Sequence, residues 1–116
     1  MSVAVVNLNL EKGTDFEATF NIFGPDNGPV SLNNYNGISK IRKHPTSVKS
    51  KSFDVEIITA DKSVKISMGR TDTLELSSGR NYFDVFLQDS STGNIIKVIE
   101  GSIIVSDSIS IWQILT

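Results

Sequence analysis

Cysteine is absent from the 116-residue chain, and histidine occurs once, at His44. Without a thiol there is no disulfide framework, no thiolate zinc site and no cysteine nucleophile. One imidazole is too few for histidine-based metal coordination. Charge is nearly balanced, with 11 Lys and Arg against 13 Asp and Glu and a net charge of −2, which leaves no global electrostatic footprint for nucleic acid or an anionic membrane. Long apolar runs are missing: no stretch approaches the roughly 18 residues of a membrane span. Met1-Ser2-Val3-Ala4-Val5-Val6 is too short for a signal peptide and lacks its basic start. No Asn-x-Ser/Thr acceptor occurs, so nothing points to a glycoprotein. The expectation is one cytosol-made domain, without cofactor, nucleic-acid or membrane partner, that rests on its apolar core alone.

Alanine is also scarce, at 3 residues against 14 Ile, 10 Val and 8 Thr. β-Branched side chains lose rotamer freedom in a helix and fit a pleated surface, so strands should dominate. Phe16, Ala18, Phe20 and Ile22 alternate with Glu17, Thr19 and Asn21, the period of a half-buried strand. Similar signals at residues 3–10, 38–43, 53–59, 64–68, 82–88 and 95–105 bring the count to about seven strands at short spacing, a sandwich or barrel. Between them, Gly24-Pro25-Asp26-Asn27-Gly28-Pro29 and Asn33-Asn34-Tyr35-Asn36-Gly37 read as breaks. Asp89-Ser90-Ser91-Thr92-Gly93-Asn94 reads as the loop of a hairpin. Asp72 with Glu75 resembles a capping box before Gly79, which allows at most one short helical turn near residues 72–76. The polar stretch from His44-Pro45 to Ser52 carries almost no apolar residues and is expected to be the most mobile.

Candidate chemistry is sparse. A Ser-His-Asp triad would have to be built on His44, which precedes Pro45 in that polar loop. Asp15, Asp54 and Asp84 invite a paired-carboxylate reading, but outward-facing strand residues account for them more simply. The oxygens of Asp89 to Gly93 could hold calcium, yet the downstream acidic ligands are missing and an Asx turn is favoured. The chain is expected not to be an enzyme. One local basic cluster, Lys40, Arg42, Lys43, Lys49 and Lys51, could grip phosphate or an acidic partner; lysines blunting a sheet edge are the competing account. Tyr82 stands shortly after Gly79, where sandwiches of the immunoglobulin type place a tyrosine whose hydroxyl ties the corner to upstream backbone. Trp112 lies in Ile109-Ser110-Ile111-Trp112-Gln113-Ile114-Leu115, an apolar run at residues 108–116 that either completes the 1–107 domain as a final strand or docks on another subunit.

The phrases Lys12-Gly13-Thr14-Asp15-Phe16, Asn27 to Leu32, Ile41-Arg42-Lys43, Thr73 to Gly79, Tyr82-Phe83-Asp84-Val85, Gly93-Asn94 and Gly101-Ser102-Ile103, in that order, resemble a domain of tailed-bacteriophage virion proteins. The domain in question is similar to the N-terminal domain of phage baseplate upper proteins. The resemblance spans about residues 8–106. It implies an all-β, immunoglobulin-like antiparallel β-sandwich that joins or decorates parts of a virion, with no catalytic residues to carry over. On that reading the chain resides in the virion, and in the host cytoplasm during assembly. Its partners are other virion proteins and copies of itself, through Lys40, Arg42, Lys43, Ile109, Ile111, Trp112 and Ile114. The competing reading is a carbohydrate-binding or host-surface adhesion module, in which a glycan would be the ligand.

Overall fold

A computed structural model describes residues 4–22, 34–58 and 63–107. These residues form seven strands and one short helix: β1 (Ala4–Glu11), β2 (Phe16–Asn21), β3 (Tyr35–Arg42), β4 (Lys51–Ile58), β5 (Ser63–Met68), α1 (Arg70–Thr73), β6 (Gly79–Asp89) and β7 (Ile95–Ser106). Among the described residues no helix is long and apolar enough to cross a membrane. The strands pair in the order β1-β7-β6-β3-β4-β5-β2. β1 and β2 stand at opposite ends of that order, yet only Lys12 to Asp15 join them, so the sheet has to fold over until its ends meet.

The fold line runs through β4. Its residues Lys51, Ser52 and Phe53 pair with β3, whereas Asp54 to Ile58 pair with β5. One layer therefore holds β1, β7, β6 and β3, and the other holds β4, β5 and β2. Strands β2, β5 and β4 on one side and β3, β6 and β7 on the other reproduce the immunoglobulin-like partition, the all-β sandwich expected. Phenylalanine rings join the layers: Phe20 of β2 stacks on Phe83 of β6 at 6.5 Å between centroids, although the two strands are far apart in the pairing order. Phe53 lies against both Phe16 and Phe83. Around them Val64, Ile66, Val85, Leu87 and Ile103 are wholly buried, each contributing about 1.5–3 kcal/mol of transfer free energy.

Three details depart from the sequence reading. The sandwich is not purely antiparallel, because β1 runs parallel to β7 from Ala4↔Ile99 to Glu11↔Ser106. Gly101 permits that pairing: a Cβ there would overlap the Val6 carbonyl. The break expected at residues 33–37 ends sooner, since Tyr35 already opens β3, and Gly37 leaves room for Val55 of β4. The helical turn starts at Arg70, with Gly69 at its N-cap and no side-chain cap of its own.

The capping-box residues serve elsewhere: Asp72 and Glu75 both hold the Lys51 ammonium. The helix is instead fastened to the β1–β2 link. The Arg70 N–H donates to Asp15 Oδ1 at 2.9 Å. The buried Thr73 hydroxyl accepts from the Gly13 N–H at 3.1 Å and lies 2.8 Å from the Thr14 carbonyl that accepts from it. Asp15 is thus a structural acceptor. The expected Asx turn is present, with Asp89 Oδ1 accepting from the Ser91 N–H at 2.8 Å.

Candidate docking face

Along β6 the inward set is Asn81, Phe83, Val85 and Leu87, all buried. The opposite phase, Arg80, Tyr82, Asp84, Phe86 and Gln88, therefore points out of the sandwich. Register carries this outward phase across the layer. Ile38 of β3 lies beside Phe86, Lys40 beside Asp84 and Arg42 beside Tyr82. On the other flank Lys97, Glu100 and Ser102 of β7 lie beside Phe86, Asp84 and Tyr82. A bulge after Val85 lets both Val98 and Ile99 stay buried while Lys97 remains outside. Val5 and Asn7 of β1 complete the rows beside Glu100 and Ser102, and the Ser102 hydroxyl donates to Asn7 Oδ1 at 2.8 Å. Together these outward residues, Gln88 excepted, line a concavity of about 660 Å³.

Its chemistry is mixed. Of the large hydrophobic side chains exposed among the described residues, Val5 (74 %), Ile38 (55 %), Tyr82 (37 %) and Ile95 (62 %) all belong to this outer face. Only Val48 lies elsewhere, on the loop after β3. Between the apolar groups stand four cations, Lys40, Arg42, Arg80 and Lys97, and two carboxylates, Asp84 and Glu100. None of the six belongs to a salt bridge with another described residue. Lys97 lies over the Phe86 ring, 5.6 Å from its centroid. The Arg42 guanidinium is steadied by donating one N–H to the Ser47 carbonyl at 2.9 Å, which leaves its other donors facing out. Burial pushes the Asp84 carboxyl above the usual range, against the pull of Lys97 and Arg42.

The sequence-predicted partner residues separate in space. Lys40 and Arg42 belong to the face. Lys43 turns to the end of the sandwich, where its ammonium donates to the Ser78 carbonyl at 2.6 Å. Ile109, Ile111, Trp112 and Ile114 lie outside the described residues. β1 commits one edge to β7 of its own chain. Tyr82 is not a corner anchor: its ring is on the outer face, and its hydroxyl has no hydrogen-bond partner among the described residues. The buried neighbour Asn81 ties the corner instead, donating Nδ2–H to the Ser77 and Gly79 carbonyls at 2.8 and 3.1 Å.

Val5, Arg80, Tyr82, Phe86 and Lys97 were not picked out as a set from sequence. The available signal was phase: Phe83, Val85 and Leu87 fix the inward parity of β6, so every even-numbered neighbour, Tyr82 and Phe86 included, has to face out. Among the described residues no cluster of three or more His, Asp or Glu could hold a metal ion. His44 follows β3 in a tight turn, where its N–H donates to Ser47 Oγ and its carbonyl accepts from the Ser47 N–H. In comparison with known proteins, no family model matches the chain and no curated protein is detectably similar to it.

Proposed function

We propose that the chain is a non-enzymatic assembly subunit of a tailed-phage particle, a tail, baseplate, neck or capsid-surface adaptor that works by docking through the outer face of its β1-β7-β6-β3 layer. The observation that carries the docking part is the concentration of exposed hydrophobic side chains on that one face. Isolated exposed apolar residues are ordinary, but several gathered on one face and interspersed with charge mark an interaction surface. The particle setting rests on the ordered strand and turn phrases of the sequence. Of those phrases, Lys12 to Phe16 leads from β1 into β2 and Gly93-Asn94 lies in the turn before β7, whereas Tyr82 to Val85 and Gly101 to Ile103 lie within β6 and β7, and Asn27 to Leu32 lies outside the described residues.

Particles grown from a host expressing a tagged copy provide the test. Quantitative mass spectrometry should find the chain at a fixed copy number per particle, and an electron-microscopy map should show Tyr82 and Ile38 against a neighbouring subunit. A chain missing from purified particles overturns the particle setting. A chain present with this face in solvent overturns the docking assignment. A glycan-binding reading draws on the same concavity, where Tyr82 is an exposed ring. Binding on a glycan array that disappears in Tyr82→Ala would favour it over assembly.

A further inference from the structure

Three outward residues of β3 follow one another at alternate positions: Ile38, Lys40 and Arg42. Side chains on the same face of a strand repeat every ~6.6 Å, and neighbouring strands lie ~4.8 Å apart. An extended segment laid along β3 presents its own alternate side chains at the same repeat. The segment that complements this row carries one apolar residue followed by two carboxylates, at positions i, i+2 and i+4. We propose that the face binds such a segment of another protein, an extended acidic strand with an apolar anchor, the anchor on Ile38 and the carboxylates on Lys40 and Arg42. This rests on the docking reading above and gives it a partner chemistry.

The charge inventory supports an anionic partner. Four cations and two carboxylates line the concavity, so the face carries an excess of positive charge on a chain whose net charge is −2. Asp84 and Glu100 offset two of the four cations at most. Arg42 is held in place by the Ser47 carbonyl, and a planar guanidinium with free N–H donors suits a carboxylate better than a freely rotating ammonium does. The exposed neighbours Ile38 and Tyr82 lose water when a segment covers the face, and the charge pairs beside them gain strength as they do.

An acidic polysaccharide would offer the same charge. It is the weaker fit, because Tyr82 is the only aromatic ring counted among the exposed side chains of the face and Lys97 covers Phe86. A second copy of the chain fits less well still. The outer side of its β4-β5-β2 layer bears Glu17, Asp54 and Glu56 but none of the large exposed hydrophobics.

The probe is the capped peptide Thr-Val-Thr-Glu-Thr-Glu-Thr, titrated into the ¹⁵N-labelled full chain and followed by amide chemical shifts. Shifts should cluster on residues 38–42, 80–86 and 97–102. Arg42→Glu and Lys40→Glu should each weaken binding by about tenfold or more, added salt should weaken it further, and Glu56→Lys on the opposite layer should leave it unchanged. Retained dispersion of the spectrum shows that each variant is folded.

The proposal is overturned by an absence of shifts at millimolar peptide, or by shifts confined to β4, β5 and β2. It is equally overturned if a hyaluronan hexasaccharide moves these amides and the peptide does not. Self-association abolished by Tyr82→Ala would make a second copy the occupant and overturn it as well. If the peptide fails while the particle map still buries this face, only the acidic chemistry falls and docking stands.

Discussion

On the outside of the β4-β5-β2 layer, Lys65 lies between Glu56 at 3.3 Å and Glu17 at 4.0 Å, and Thr19, Asn21, Ser52 and Asp54 fill the remaining exposed positions of β2 and β4. On the outside of the other layer, Lys40, Arg42, Arg80 and Lys97 belong to no salt bridge among the described residues and stand among Val5, Ile38 and Tyr82. The two faces share one core and one backbone geometry, so strand packing does not explain the contrast. The first face pairs its lysine with two carboxylates of the same chain and shows water a polar surface. The second keeps charge and apolar surface available together, the combination that association uses.

The comparison breaks most severely at Gly101. Gly101→Ala drives a methyl into the Val6 carbonyl and should cost about 3 kcal/mol, the upper end of over-packing penalties, because a backbone atom cannot step aside. Denaturant titration gives the loss. Hydrogen exchange should show protection falling in β1 and β7 while β5 and β2 keep theirs, which removes the Val5 and Asn7 rows from one face and leaves the other intact. Next comes Thr73→Val, at the junction of both layers. It strips the partner from the Gly13 N–H and a donor from the Thr14 carbonyl, and should lower stability by about 2 kcal/mol with no preference for either face.

Asp84→Asn should act in the opposite direction and more weakly. The folded state raises the Asp84 pKa, chiefly by burial, so the ionised carboxylate costs stability at neutral pH. That cost is relieved as pH falls through the folded value, because the folded state binds the proton before the unfolded chain does. The variant should therefore unfold at a slightly higher temperature than the parent at pH 7, and the advantage should vanish under acid conditions. An unchanged difference across that range would show that the carboxylate carries no burial cost. Smallest is Lys65→Met, which removes both ion pairs of the polar face and should cost under about 1 kcal/mol, with the difference shrinking in high salt.

Much of the architecture was legible because it is written locally. Alternation at Phe16, Ala18, Phe20 and Ile22 marked β2, and the hairpin loop from Asp89 to Asn94 carried its own Asx acceptor. What escaped depends on residues distant in sequence. No local signal at Asp15 announces that it will receive the Arg70 N–H, and nothing at Thr73 announces Gly13. The corner illustrates the limit of analogy: a tyrosine in the expected neighbourhood drew attention to Tyr82, while strand parity points that ring outward and puts Asn81 under the turn. The basic cluster dissolved for a similar reason, since Lys43 and Lys51, at the shared end of β3 and β4, turn away from the face to carbonyl and carboxylate partners.

The parallel pairing of the first strand with the last also sets a timetable. Ser102 and Asn7, which hydrogen-bond across β1 and β7, are 95 residues apart in the chain. Contacts of such separation are closed late and slowly, because the loop between them has to be ordered first. During synthesis β1 emerges first and finds its partner only when β7 has left the ribosome. The exposed face is therefore completed late: its Val5 and Asn7 rows do not exist until β7 has been made and has paired with β1. A nascent or truncated chain thus presents an incomplete surface to any partner, and recognition of the whole face selects for molecules that have finished folding.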